Sequence, residues 1–220
     1  MINMENAIKI KELLTRFPPY SEDLGIDLTK PSGRFKWFLA SILYGARISE
    51  KIASNTYKAL EKAGLDSSEK IIRAGWDELV RILDSGGYVR YDFSTATKLL
   101  NIMMDLKERY GSLEDIHNQS SDVHDLERRL QEFKGIGPVT MQIFLRELRG
   151  VWNLDQEVSR KARTVAQLLD INLDEFKGEE LSRIETALVK LSIRCCKKRR
   201  SPDCPMKDFC KEAGNKKEKS

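Results

Sequence analysis

The stretch FKGIGPVTMQIFL, from Phe133 to Leu145, decides how the chain reads. Two glycines, Gly135 and Gly137, bracket Ile136. Pro138 follows at once, and an apolar helix runs on behind it. The preceding DVHDLERRLQEF has the spacing of an amphipathic helix, so the glycines mark a tight turn between two helices. Glycine permits backbone angles closed to other residues, and without a Cβ it lets another backbone come close. Pro138 suits the first helical position, where its missing N–H costs nothing.

Free amides at such a helix start, with the helix dipole behind them, attract an anion. A nucleic-acid phosphate fits there without any base being read. On this reading Lys134, Gly135, Ile136, Gly137, Val139 and Thr140 form the contact segment. Lys134 faces the phosphate and Ile136 packs inward to pin the turn. The same residues also read as an ordinary turn between packed helices, because short glycine patterns are common.

Outward from this turn, helical periodicity dominates. WFLASILYG, Trp37 to Gly45, is apolar nearly all round and predicts a buried central helix. ISEKIASNTYKALEKAGL is amphipathic and stops at Gly64. DSSEKIIRAG and WDELVRILDSGG read as two short helices, the second ending at Gly86-Gly87. YDFSTATKLLNIMMDLKERYGS reads as one long helix ending near Gly111. HNQSSD, His117 to Asp122, reads as a loop. VSRKARTVAQLLDI and GEELSRIETALVKLSI complete the set, and the tail after Gly214 reads as disordered. No strand and no internal repeat is found, so the expected class is all-α.

The 220 residues suffice for one large domain or two small ones. Apolar and charged fractions of 40% and 33% are ordinary for a globular chain. No apolar run approaches the roughly 20 residues needed to cross a bilayer. The start, MINMENAIKIKELL, lacks the apolar core of a signal peptide and reads as an amphipathic helix. A cytoplasmic protein, nucleoid-associated in a prokaryote, is the expectation. The net charge of +4 agrees with nucleic-acid binding without requiring it. KKRR at Lys197 to Arg200 reads equally as a solvated surface run.

All four cysteines, Cys195, Cys196, Cys204 and Cys210, lie near one end. A secreted disulfide framework would be spread along the chain, so this clustering points to a metal or cluster site.

One acidic residue stands out. Asp155, in VWNLDQEVSRKA, lies just past the second hairpin helix. It reads as a reactive carboxylate or as the cap of a helix starting near Gln156.

Together, FKGIGPVTM and LDQEVSR resemble the helix-hairpin-helix DNA glycosylase superfamily, in particular its endonuclease III-like group. That family carries an L-P-G-[IV]-G-x-K-T-A hairpin followed by an aspartate in a V-D-x-x-V-x-R context. The resemblance extends to WFLASILYGAR and to the cysteine-rich end, and covers most of residues 30 to 212. It implies two helical lobes with a DNA-binding cleft between them. Residues 29–115 would form a six-helix barrel-like lobe. Residues 1–28 and 116–214 would form the hairpin lobe with its cysteine loop, and 215–220 a disordered tail.

It also implies base-excision repair by a monomer acting on double-stranded DNA with a damaged or mispaired base. The base is flipped out of the stack and its N-glycosidic bond is hydrolysed. Asp155 would be catalytic, stabilising positive charge that builds on the sugar, and Arg160 of the V-x-R element would contact DNA. Arg47 aligns with the plug that fills the space left by the flipped base, or is a surface arginine. Tyr88 and Tyr91 align with a wedge that stacks on bases, or pack into the helical core.

Relatives that also cut the strand place a lysine two residues after the second glycine, where its amine attacks the sugar. Here that residue is Val139, so the resemblance implies a monofunctional glycosylase. Two alternatives stay open: a non-catalytic DNA-binding protein, and a bifunctional glycosylase/lyase using another lysine such as Lys161. Cluster-bearing relatives end in C-x6-C-x2-C-x5-C. Here Cys204 and Cys210 keep the last element, Ser201 replaces the cysteine before it, and Arg194 stands at the first. A [4Fe-4S] cluster on Cys195, Cys196, Cys204 and Cys210, a zinc ion, and a loop without metal all remain readings.

Overall fold

A computed structural model describes residues 4–196 and 203–210. Eleven α-helices and no strand occur among the described residues, so the class is all-α. No described helix is long and apolar enough to cross a membrane. The KKRR run, Ser201 and the tail beyond Gly214 lie outside the described residues. The chain divides into two compact units, Leu24–Leu145, and Met1–Asp23 with Arg146–Ser220. The division falls inside one helix and leaves the glycine turn with the first of these units. The resemblance grouped the turn instead with the C-terminal segment.

The unit Leu24–Leu145 is built around α3 (Pro31–Tyr44). Pro31 starts this helix, and Gly45 ends it. Trp37, Phe38, Leu39, Ala40, Ile42 and Leu43 are buried, as the apolar run requires. Helix α4 (Glu50–Lys62) is capped by Ser49, whose hydroxyl accepts the Ile52 N–H. It stops at Gly64, where φ is +73°. The pair of short helices appears as α5 (Ser68–Ser85), broken at Gly75 with φ 75° and ψ 178°. Ser67 caps it, and Gly86 and Gly87 close it.

Helix α6 (Asp92–Arg109) is the long helix, and Gly111 follows it at φ +91°. Helix α7 (Leu113–Gln119) corrects one expectation, because His117 to Gln119 are helical and only residues 120–122 form the loop. Its signals were a Ser112 cap accepting the Asp115 N–H at 3.1 Å and two buried residues, Leu113 and Ile116. Helix α8 (Val123–Gln131) starts at the Asp122 cap and leads into the turn. Helix α9 (Pro138–Leu148) leaves it.

The other unit joins both chain ends. It holds α1 (Met4–Leu14), the single turn α2 (Tyr20–Asp23), α10 (Arg160–Leu168) and α11 (Gly178–Leu191), which runs into a π-type turn, Ser192–Cys196. Ile10 and Leu14 of α1 share an apolar core with Val165 of α10, Leu169 just after it, and Leu188 and Leu191 of α11. Two buried charges fasten the N-terminal segment. Glu147 accepts the Tyr20 and Ser21 N–H groups at 2.9 Å each, satisfying the start of α2. Lys190 donates to Asp23 Oδ2 at 2.6 Å and to the Pro18 carbonyl. Burial pushes the Glu147 carboxyl up and the Lys190 amine down.

Candidate functional site: the glycine turn and the Asp155 loop

Three elements of the unit Leu24–Leu145 fix the turn. From α3, Trp37 Nε1 donates to the Phe144 carbonyl at 3.1 Å, and Phe38 meets Phe144 edge to face at 5.1 Å. From the end of α6, Tyr110 meets Phe133 at 6.0 Å, and Arg109 pairs with Glu132. From the loop after α3, Gly45 lies so close to α9 that a Cβ there would sit 2.1 Å from Thr140 Oγ1. Phe133 and Ile136 are buried, so the turn is anchored on both sides and Ile136 packs inward. The Ile136 N–H donates to the Phe133 carbonyl at 2.9 Å, closing the turn.

What remains outside is compact and chemically simple. Lys134, Gly135, Pro138 and Val139 are exposed, and Gly135 has φ +106°. Only glycine adopts that backbone without strain. A second lysine, not signalled by the sequence, lies here. The stem of Lys98 on α6 crosses Gly135 so closely that a Cβ would sit 2.3 Å from its Cδ. Burial pushes the Lys98 amine down. Neither the Lys98 nor the Lys134 amine has a hydrogen bond or ion pair among the described residues. The turn thus carries an exposed glycine backbone and two lysine amines without a carboxylate partner among the described residues, a combination suited to anions.

The remaining expected DNA contacts of this unit are placed as follows. Arg47 is exposed in the loop that Gly45 holds against α9, and its guanidinium has no partner among the described residues. Thr140 is buried, with its hydroxyl turned to Gly45, so it packs inward. Tyr88 is 1% exposed and belongs to the core, the second of its two readings. Tyr91 is half-buried at the start of α6, edge to face with Tyr88 at 6.5 Å, and Arg90 lies over its ring at 5.5 Å.

In the unit Met1–Asp23 with Arg146–Ser220, residues 150–159 form an irregular loop between α9 and α10. Helix α10 starts at Arg160 and its cap position is Ser159, so Asp155 does not cap it. Asp155 is exposed, and its carboxylate has no hydrogen bond or ion pair among the described residues. The loop around it is well fixed. Asn153 takes φ +51°, a backbone that asparagine tolerates better than most. The Leu154 N–H donates to the Arg149 carbonyl at 2.9 Å. Gln156 and Ser159 on the far side are buried. Arg160 and Lys161 are exposed at the first turn of α10.

The four cysteines differ in burial. Cys195 is buried in the apolar core, Cys196 is exposed, and Cys204 and Cys210 are half-buried. Burial pushes the Cys195 thiol up to about 11, helped by Cys204 beside it. Among the described residues no three Cys, His, Asp or Glu side chains converge as metal ligands would. No step below is routed through a metal.

No protein-family model matches the chain, and no curated protein is significantly similar to it.

Proposed function

We propose that the protein is a DNA base-excision glycosylase acting as a monomer on double-stranded DNA with a damaged or mispaired base. The observation that carries this reading is the state of Asp155. Its carboxylate is exposed, caps no helix and neutralises no cation among the described residues, yet the loop that bears it is held by buried groups. A carboxylate without a structural duty, on a fixed backbone, is suited to chemistry.

The reaction follows from what each group offers. The turn at Lys134 to Gly137 and the Lys98 amine take backbone phosphates, which sets register without reading sequence. The target nucleotide leaves the stack, and Arg47 occupies the space. As the bond between base and sugar lengthens, positive charge builds at the sugar carbon, and the Asp155 carboxylate stabilises it. Water adds its oxygen to that carbon, one proton passes to Asp155, and the base departs with the bonding pair. Val139 offers no amine, so no covalent adduct forms and an abasic site remains. The two-lobed arrangement implied by the resemblance belongs to this reading.

The test is a panel of labelled duplexes, each carrying one damaged or mispaired base, with every reaction split into alkali-treated and untreated halves. The proposal expects strand breaks at one or more lesions only after alkali. Breaks without alkali would replace it with a lyase that uses another lysine. Tight DNA binding with no break under either condition would favour a non-catalytic DNA-binding protein.

A further inference from the structure

Asp155 lies between two residues that are both tied to Arg149. On one side the Leu154 N–H donates to the Arg149 carbonyl at 2.9 Å. On the other side Arg149 Nη1 donates to the Gln156 carbonyl at 2.7 Å. The second arm of the same guanidinium, Nη2, donates to Glu185 Oε2 on α11 at 2.8 Å. The remaining carboxylate oxygen, Glu185 Oε1, accepts the Ser159 N–H at 2.9 Å, at the position where α10 starts. Both side chains of this pair are 2% exposed.

The loop is also pinned where it begins. Gly150 lies against α11 with no space for a side chain, since a Cβ would sit 2.8 Å from both the Glu179 nitrogen and its Cβ. Residues 150, 154, 156 and 159 are thus each held, and Asp155 is carried between them with its side chain exposed.

We propose that Arg149, locked by Glu185, is the positioning residue that fixes the Asp155 carboxylate. The planar fork of arginine suits the task, because one rigid group reaches the Gln156 carbonyl and Glu185 at once. A lysine ammonium also carries several donors but lacks that rigid fork, so it holds two partners in a less fixed geometry. Charge-assisted bonds in a site shielded from water are strong, so the loop does not drift. The inference rests on the catalytic reading of Asp155.

The test compares wild type, Asp155→Asn, Glu185→Gln and the double variant Arg149→Met/Glu185→Leu. The double variant replaces a buried ion pair by apolar groups of similar size, an exchange that leaves no buried charge unpaired and so keeps the chain folded. Four quantities are read: the melting temperature, the Kd for a lesion-bearing duplex, the single-turnover rate of base release, and hydrogen exchange at the Leu154 amide.

The expected result is a double variant that folds cooperatively, melts modestly below wild type because the Gln156 carbonyl and the Ser159 N–H lose their partners, and binds DNA as tightly. Its base release falls about 100-fold, the loss that a misplaced catalytic group produces. Its Leu154 amide exchanges at least about tenfold faster, as local opening becomes easier. Glu185→Gln should show the same direction in rate and exchange. A merely structural pair would lower the melting temperature of the single variant and leave the rate of the stable double variant unchanged.

The proposal is overturned if the double variant releases base at the wild-type rate while Asp155→Asn does not. It is also overturned if Leu154 exchange is unchanged in the double variant. If wild type and Asp155→Asn release base equally, the catalytic reading of Asp155 is what fails. The exchange measurement still decides whether Arg149 and Glu185 hold the loop.

Discussion

Lys98 lies across Gly135, its Cδ 2.3 Å from the point where a Cβ on that glycine would stand. A helix residue far away in sequence therefore occupies the space that the missing side chain leaves open, and brings an amine to the turn. Gly135→Ala meets two obstacles, the Lys98 stem and the backbone angle of +106°. The expected loss in stability is about 1–3 kcal/mol from the backbone alone. Urea unfolding of Gly135→Ala, Lys98→Ala and the double variant separates the two obstacles. Lys98→Ala should recover the steric part and none of the backbone part. Additive losses would show that Lys98 moves aside at no cost.

The Arg149–Glu185 pair gives a stability prediction distinct from its role at Asp155. Removing one partner leaves the other charge buried and unpaired, which costs about 3–5 kcal/mol. Arg149→Met alone should therefore unfold at much lower urea than wild type, and Glu185→Leu alone likewise. The double variant Arg149→Met/Glu185→Leu should recover most of that loss. A double variant as unstable as the sum of the singles would contradict the pairing.

Acid should loosen the helix that leads into the turn. Arg129 beside Asp125 holds its carboxyl down at about 2, with help from the Ser121 N–H. The folded-state value is depressed below the ordinary 3.8, so the native state binds this proton less readily than the unfolded chain. The stabilisation is therefore present in full above the ordinary value and is lost as pH falls through about 2. The urea midpoints of wild type and Asp125→Asn should differ at pH 6 and converge toward pH 2. A difference that stays constant with pH would contradict the assignment.

Val139 is 57% exposed at the first turn of α9, where a longer side chain has space. Val139→Lys should change stability by no more than about 0.5 kcal/mol. It places a primary amine beside the turn, where an abasic sugar could form an imine with loss of water. Borohydride treatment with abasic duplex should then trap a covalent complex that wild type does not give. Equal trapping by wild type would point to a native lysine as nucleophile. Lys98 would then be the first to replace.

Local signals carried most of the helix plan. Gly64, Gly75, Gly87 and Gly111 mark stops or breaks where the chain needs backbone that glycine accepts most readily, and they were legible as punctuation. The run from Trp37 to Leu43 was legible because no polar residue but Ser41 interrupts it. Short elements were harder. Helix α7 has only Leu113 and Ile116 as its buried pair, too few to show a period, and HNQSSD looks like a loop by composition. Tyr88 follows a Gly-Gly pair and read as a wedge or as core, and only packing decides between them, turning its ring inward to 1% exposure.

The site was legible in its residue types and not in its supports. Lys134, Gly135 and Asp155 were named because their neighbours in sequence form a pattern. The groups that hold them come from elsewhere in the chain. Lys98 reaches Gly135 from α6, and Glu185 reaches Ser159 and Arg149 from α11, 36 positions after Arg149 in sequence. In the sequence nothing singles out Arg149 in RELRG or Glu185 in SRIET. Only packing shows that they are buried and paired.

The central claim is that Asp155 does chemistry and nothing else. Asp155→Asn keeps the shape of the side chain and removes its charge, and the exposed, unpartnered position predicts a stability change within about 0.5 kcal/mol. The measurement is single-turnover release of base from the lesion duplex that wild type processes, with the Kd for the same duplex measured alongside. The account predicts an unchanged melting temperature, an unchanged Kd and a rate at least about 100-fold lower, in line with loss of a preorganised electrostatic group. Base release by Asp155→Asn at the wild-type rate would contradict it.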